Sequence, residues 1–201
     1  VPKISDTDKQ ERIERILDGA RRCFARYGYE GATVARLEEE TGLSRGAIFN
    51  WFSSKEELFV ELARRDNERL LALFAEQGFR ALVRTLVEED PDWLAVYLEF
   101  GRRLRSDEAF RTRWKERAAP DLRDRVRTRI EGEQAAGVIR DDLTEQEIGR
   151  FLGVVLDGLV VQRGMGFEPP DAEVVVRLVE DAIRGQGRAR RGTRDGTRAR
   201  A

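Results

Sequence analysis

Histidine is absent from the 201-residue chain, and cysteine occurs once, at Cys23. That removes Cys/His zinc sites, histidine-based triads and most general-base schemes. No apolar run approaches the ~20 residues that a bilayer-crossing helix needs. No signal-peptide pattern opens the sequence, so the cytoplasm is the expected compartment. A Gly-rich phosphate loop, a serine-centred elbow and a metal-ligand cluster are also missing. The adjacent carboxylates Asp141 and Asp142 read as a turn and helix-capping segment. An enzyme is not expected.

What is present is helical. The chain is 40% apolar and 37% charged, with Ala, Leu, Glu and Arg prominent and Val-Thr alternation scarce, which suits an all-α protein. Residues 8–27 carry Ile13, Ile16, Leu17, Ala20, Cys23 and Phe24 at three-four spacing, one stripe of a helix that Gly28 would cap. Cys23 reads as a small buried hydrophobe. Thr33 can N-cap a short helix over 34–41, stopped by Gly42, and Ser44 a third over 45–52. Ser54 with Glu57 has the spacing of a capping box opening a long helix over 55–77. Further helices follow over 78–89, 92–104, 107–137 with a break near Pro120, 144–163 and 171–184, about nine in all. No strand or internal repeat stands out.

The net charge of −1 hides an uneven distribution. Residues 1–52 hold nine basic and nine acidic side chains, 53–184 hold 22 and 28, and 185–201 hold six arginines and Asp195. The last segment lacks any apolar residue larger than alanine and is disordered by composition. It is either a solvated end or an auxiliary nucleic-acid contact.

The stretch TGLSRGAIFNWFSSKEEL (residues 41–58) packs three large aromatics into four positions behind a glycine. Two short helices joined by a glycine-containing turn, preceded by a longer helix, make a helix-turn-helix pattern. Its last helix would enter the major groove of DNA by its N-terminal end. Residues 44–47 include small side chains that let the backbone approach DNA, and Arg45 suits a phosphate or a guanine. Ile48 and Phe52 are the expected core anchors. Phe49, Asn50 and Trp51 would lie towards the sugar-phosphate wall.

The longer string GARRCFARYGYEGATVARLEEETGLSRGAIFNWFSSKEELF (residues 19–59) resembles the DNA-binding domain of the TetR family of bacterial repressors. The resemblance implies a helix-turn-helix domain over 1–53 and a ligand-binding and dimerisation domain over 54–184, followed by the basic tail over 185–201 that composition marks as disordered. It also implies contacts to operator DNA, a pseudo-palindrome read by a homodimer. Thr33 would hold phosphate, Ser44, Arg45, Gly46 and Asn50 would touch bases or backbone, and Lys55 would meet a phosphate. Two positions depart from the family pattern. Phe49 stands where tyrosine is usual, leaving Trp51 to offer its indole N–H instead. Glu38 stands where many relatives carry a small residue, which opens the seating of the second helix.

The apolar runs IGRFLGVVLDGLVV (148–161) and AEVVVRLVEDAI (172–183) suit a two-fold four-helix interface, with Gly153 and Gly158 permitting close approach; burial inside one chain is the alternative. The arginine-rich segments over 97–107 and 122–133 are ordinary solvated faces unless one arginine turns inward as a carboxylate clamp. Over nearly the whole chain, ILDGARRCFARYGYEGATVARLEEETG, SRGAIF, LARRDNERL, RLRSDEAFRTRWKER and LDGLVVQR are similar to the aconitase repressors of actinobacteria, a branch of the same family. This implies a citrate effector clamped by Arg129, with Glu180 approaching it through a bound Mg²⁺. A repressor of an efflux or catabolic gene responding to another small molecule is the alternative.

Overall fold

The computed structural model describes residues 6–116 and 120–185. The basic-tail expectation for 185–201 therefore lies outside the described residues except at Gly185. The described residues form ten α-helices and no strand beyond one isolated bridge, Ile139 with Arg184. The N-terminal head comprises α1 (Asp6–Gly31), α2 (Val34–Thr41) and α3 (Arg45–Phe49). The body comprises α4 (Lys55–Gln77), α5 (Phe79–Glu88), α6 (Pro91–Ser106), α7 (Glu108–Glu116), α8 (Pro120–Ala135), α9 (Glu145–Gly164) and α10 (Ala172–Ile183). The tenth helix arises because the 107–137 segment is two helices, α8 starting on Pro120, where a missing N–H costs nothing at a first helical position.

Local signals place most boundaries. Thr33 and Ser44 accept from the N–H groups of Arg36 and Ala47 as N-caps, and Gly42 ends α2 at φ 65°, a conformation that disfavours any side chain with a Cβ. Three details differ from expectation. Gly28 breaks α1 at φ 67° and ψ 174°, but one more turn follows to Gly31. α3 ends at Phe49, three residues early, with Asn50 as its C-cap. The Ser54 cap is one-armed: its hydroxyl accepts from Glu57 N, while Glu57 Oε2 accepts from Ser53 N rather than from Ser54. A reciprocal capping box forms instead at Thr144 and Glu147, opening α9.

Two apolar clusters share the α4 and α6 helices. The first joins the head to the near half of the body. It packs Ile16, Phe24, Leu37, Ile48 and Phe52 with Phe59, Trp93 and Phe110. Ile48 and Phe52 are both buried, as expected of anchors, although Phe52 lies past the helix end. Phe49 and Trp51 are half-buried against the same core. The second cluster joins α4, α5, α8, α9 and α10 through Phe74, Val83, Ile130, Leu152 and Val176. Close backbone approach between α6 and α9 occurs at Gly164, where a Cβ would stand 3.0 Å from the Leu94 backbone. A Cβ on Gly153 or Gly158 would meet nothing within 4 Å, so neither glycine serves packing within the chain.

The α1–α2 crossing is tighter still. A Cβ on Gly19 would lie 2.6 Å from Thr41 Cγ2 and 2.9 Å from the Glu40 carbonyl, and backbone cannot step aside as a side chain can. Gly19→Ala should cost about 1–3 kcal/mol by overpacking, read as a lowered urea midpoint. An unchanged midpoint would contradict this crossing geometry.

Candidate nucleic-acid interface and effector chamber

The turn between α2 and α3 is built by side chains as much as by backbone. Thr41, buried at the end of α2, donates to the Leu37 carbonyl at 2.7 Å and accepts from Leu43 N at 3.2 Å. Ser44 Oγ accepts from Ala47 N at 3.3 Å. The Glu38 carboxylate accepts from Arg45 N at 2.6 Å. These bonds bring Ser44, Arg45 and Gly46 to an exposed helix start, with Thr33 and Asn50 exposed beside them. A Cβ on Gly46 would meet nothing within 4 Å. The fold therefore does not require glycine there, and its smallness is free to serve an approaching molecule. Trp51 leans on the core, half-buried. Lys55 donates to the Tyr29 carbonyl at 2.8 Å and lies 4.4 Å from the Tyr29 ring centroid, leaving two of its three donors for a phosphate.

The head is tied to the body by ion pairs. Arg21 of α1 places Nη1 at 2.9 and 3.0 Å from the two oxygens of Asp66 on α4, and Nη2 at 3.0 Å from Glu89. Its guanidinium also stacks 4.3 Å from the Trp93 ring centroid. Asp66 is buried, so this fork supplies the partner that a buried carboxylate requires. Glu89 accepts a second hydrogen bond, from Arg69 Nη2 at 2.5 Å. Burial pushes the Glu89 carboxyl upwards, but the Arg69 hydrogen bond and the charges of Arg21 and Arg69 outweigh it, and the net shift is downwards. A second tie is a cation–π contact: Arg103 of α6 lies over the ring of Tyr29 in α1, held within the body by Glu56 of α4 at 3.0 Å, with which Arg113 of α7 also pairs.

Between α4, α5, α6, α8 and α9 lies a chamber of about 280 Å³. Leu70, Phe74, Leu86, Ile130 and Leu152 contribute to its apolar wall, and its polar groups are Asn67, Tyr97 and Asp157, with no Lys or Arg among the lining residues. The Tyr97 hydroxyl is buried and faces the Asp66 carboxylate. Burial, reinforced by the facing Asp66 carboxylate, pushes its pKa well above the usual phenol value.

Neither expected effector residue lines this chamber. Arg129 sits at the α4–α5 corner, donating to the carbonyls of Ala75 and Glu76 at 3.2 and 3.3 Å and pairing with Glu133 at 2.9 Å. It thereby caps the α4 C-terminus, whose last carbonyls would otherwise lack partners. Glu180 of α10 binds Arg80 through both oxygens at 3.1 Å, two residues beyond the Gly78 turn that Arg129 covers. Arg80 and Arg84 also share Glu173. The corner thus gathers Arg80, Arg84 and Arg129, but Glu180 pairs with Arg80 and Arg129 with Glu133, not with each other. Among the described residues no group of three or more His, Cys, Asp or Glu could hold a metal. The one carboxylate expected to meet Mg²⁺ already faces a guanidinium, so these residues do not form a cation site by themselves.

On the outside of α9 and α10, Phe151, Val154, Val161, Leu178 and Val174 stay exposed, with Val154 at 66% and Leu178 at 63%. The opposite faces, through Leu152, Leu159, Val176 and Val179, are buried in the chain. Burial within one chain therefore accounts for only half of each apolar helix. Among the described residues no helix is long and apolar enough to cross a membrane.

Comparison with known proteins gives a consistent picture. Residues 16–62 match the family described as "Bacterial regulatory proteins, tetR family", and residues 75–188 match "BetI-type transcriptional repressor, C-terminal". The chain is 44% identical over 186 residues to the HTH-type transcriptional repressor AcnR of Corynebacterium diphtheriae, covering 92% of this chain and 97% of that one. It is 41% identical over 186 residues to the HTH-type transcriptional repressor Rv1474c of Mycobacterium tuberculosis, covering 92% and 99%. Among solved structures, a TetR transcription regulator from Haloarcula marismortui superposes with TM-score 0.68 at 20% identity, covering 87% and 98%. A transcriptional regulator from Saccharomonospora viridis in complex with choline superposes with TM-score 0.63 at 25% identity, covering 86% and 95%.

The ion-pair ties set a pH dependence. Glu89 is depressed in the fold, so its contribution is present above the unfolded-state carboxylate pKa and is lost as pH falls through the folded value. The melting temperature should therefore fall as pH drops below ~4.3, the ordinary glutamate value. Glu89→Gln should remove about 1–3 kcal/mol at neutral pH and flatten that acid slope. A slope identical to wild type would show that the Arg21 and Arg69 bonds add nothing.

Proposed function

The chain belongs to the TetR family as a DNA-binding transcriptional repressor rather than an enzyme, and from that premise we propose that it represses an aconitase gene and is released from its operator by citrate together with Mg²⁺. The observation that carries this reading is the 44% identity to a repressor named AcnR over 92% of the chain. The α4–α5 corner supports it chemically, because three guanidiniums there suit a ligand with several carboxylates.

Repression on this account is occlusion. A homodimer formed through the uncovered apolar stripes of α9 and α10 sets two α3 helices about one DNA turn apart. Each head then offers the Ser44 to Gly46 start of α3 to the major groove, with Thr33 and Lys55 at flanking phosphates. Release runs through α4, which is continuous from Lys55 at the head to Gln77 at the corner. Arg129 holds the α4 C-terminal carbonyls. A citrate carboxylate competing for that guanidinium loosens this hold and lets α4 move, carrying the head with it. A coupling of ~1–3 kcal/mol would change operator affinity some 5–150-fold.

A second reading takes its support from the chamber. Its apolar wall, its Asp157 and its lack of any basic lining residue suit an uncharged or cationic molecule better than a trianion, as choline is in the Saccharomonospora viridis regulator. A different effector controlling an efflux or catabolic gene would follow.

Calorimetry separates the two. Citrate with MgCl₂ should give heat on the citrate reading, and absence of heat with and without Mg²⁺ removes it. Arg129→Ala should then abolish citrate-driven release while operator binding persists; a normal citrate response would count against the corner. Leu178→Glu, placing charge on the uncovered stripe, should yield monomers in sedimentation and weaken operator binding roughly tenfold or more, since linked heads bind by avidity. A variant that stays dimeric would place the interface elsewhere.

A further inference from the structure

We propose that Glu38 is a specificity-determining positioning residue of the reading head: from α2 it holds the N-terminus of α3 in place and keeps DNA phosphates off it. The proposal rests on the DNA-binding reading above and concerns how sharply operator is told from other DNA.

α3 has five residues, of which Ile48 alone is buried. So short a helix cannot fix its own orientation by burial, and its direction must be set from outside. Among its first N–H donors, that of Ala47 goes to Ser44 Oγ, a bond within the same turn. The N–H of Arg45 goes to the Glu38 carboxylate at 2.6 Å, a bond reaching back seven residues into the neighbouring helix. That second bond ties the start of α3 to the side of α2.

The position is costly unless it does something. Glu38 lies in the last turn of α2, where the helix dipole disfavours an acid. Its backbone carbonyl is already used, accepting from Gly42 N at 2.9 Å. The side chain crosses the turn, and the adverse field of α2 is exchanged for the favourable N-terminal end of α3. The carboxylate then stands beside the exposed Ser44, Arg45 and Gly46. A phosphate seeking the α3 N-terminus meets an in-chain anion already there. Binding through phosphates alone supplies essentially all non-specific affinity, whereas base contacts carry sequence. The carboxylate therefore weakens backbone-only binding more than a complex seated by base contacts. The fixed angle of α3 favours that seated complex.

The test compares wild type, Glu38→Gln and Glu38→Ala on two duplexes at one salt concentration. The operator duplex is the consensus that wild type selects from a random-sequence pool, and the other is its scrambled version. Glu38→Ala loses both acceptor and charge. It should bind operator roughly tenfold more weakly and scrambled DNA severalfold more tightly, the scale of a base-pair mismatch. Glu38→Gln keeps an acceptor and loses the charge. It should hold operator within about threefold of wild type while scrambled binding tightens. An operator-to-scrambled ratio unchanged in Glu38→Ala overturns the proposal. So does Glu38→Gln binding operator as weakly as Glu38→Ala, or scrambled DNA no more tightly than wild type. Should Glu38→Ala fail to fold, the two Glu38→Gln results decide alone. Failure of wild type to select any consensus would sink the repressor reading itself, leaving Glu38 aside.

Discussion

The guanidinium of Arg21 is the point on which head and body agree. It leaves α1, the longest helix of the reading head, and closes on Asp66 and Glu89, which belong to α4 and the end of α5. Asp66 is buried; Arg69 of its own helix lies 3.6 Å away, but the closest cation, Arg21 at 2.9 Å, offsets the cost of withdrawing the charge from water while α1 stays where it is. Trp93 covers the same guanidinium from α6. The head cannot slide on the body without exposing or orphaning these groups, and a shift of the body must therefore be felt by α1. Arg103, paired with Glu56 at the first turn of α4, adds a second contact across the same boundary by lying over the Tyr29 ring of α1.

That arrangement gives α4 its role. One end is fastened beside Tyr29 through Lys55 and the other is capped by Arg129 across the Gly78 turn. A helix does not stretch, so whatever alters the Arg129 end is expressed as tilt or translation at the Lys55 end. The chamber reaches the same machinery by another route. Tyr97 lines it, and its buried hydroxyl faces Asp66, the carboxylate that Arg21 grips. Under the proposed function, an effector at either the corner or the chamber would act on this one lever, so its chemistry decides between the two readings while the mechanical consequence is shared.

The local grammar of the chain was open to reading. Thr33, Ser44 and Gly42 mark their helix ends because capping depends on neighbours within three or four residues, and Ile48 and Phe52 are buried as their spacing implies. Long-range polar contacts were not legible. Glu38 looked only like a departure from a family pattern, and its bond to Arg45 N requires knowing that the α2–α3 turn folds the two together. Arg129 is one of many arginines on a polar helix, and nothing in its spacing says that it reaches carbonyls 53 and 54 residues away. Of the box expected at Ser54 only the carboxylate arm moved: Glu57 Oε2 accepts from both the N–H and the hydroxyl of Ser53, while Ser54 Oγ still accepts from Glu57 N. The uncovered faces of α9 and α10 show the converse. Their apolar length was plain, but which side meets the body depends on where α5 and α6 lie.

The central claim, that effector chemistry in the body moves the heads through α4, can be measured directly by pulsed electron resonance. Glu39 is exposed on α2, and Cys23 is buried with its thiol pushed up to about 11, so Glu39→Cys places one spin label per head without a competing thiol. The account predicts a narrow head-to-head distance that changes when citrate and MgCl₂ are added at concentrations that release operator DNA. Release accompanied by an unchanged distance distribution would contradict it.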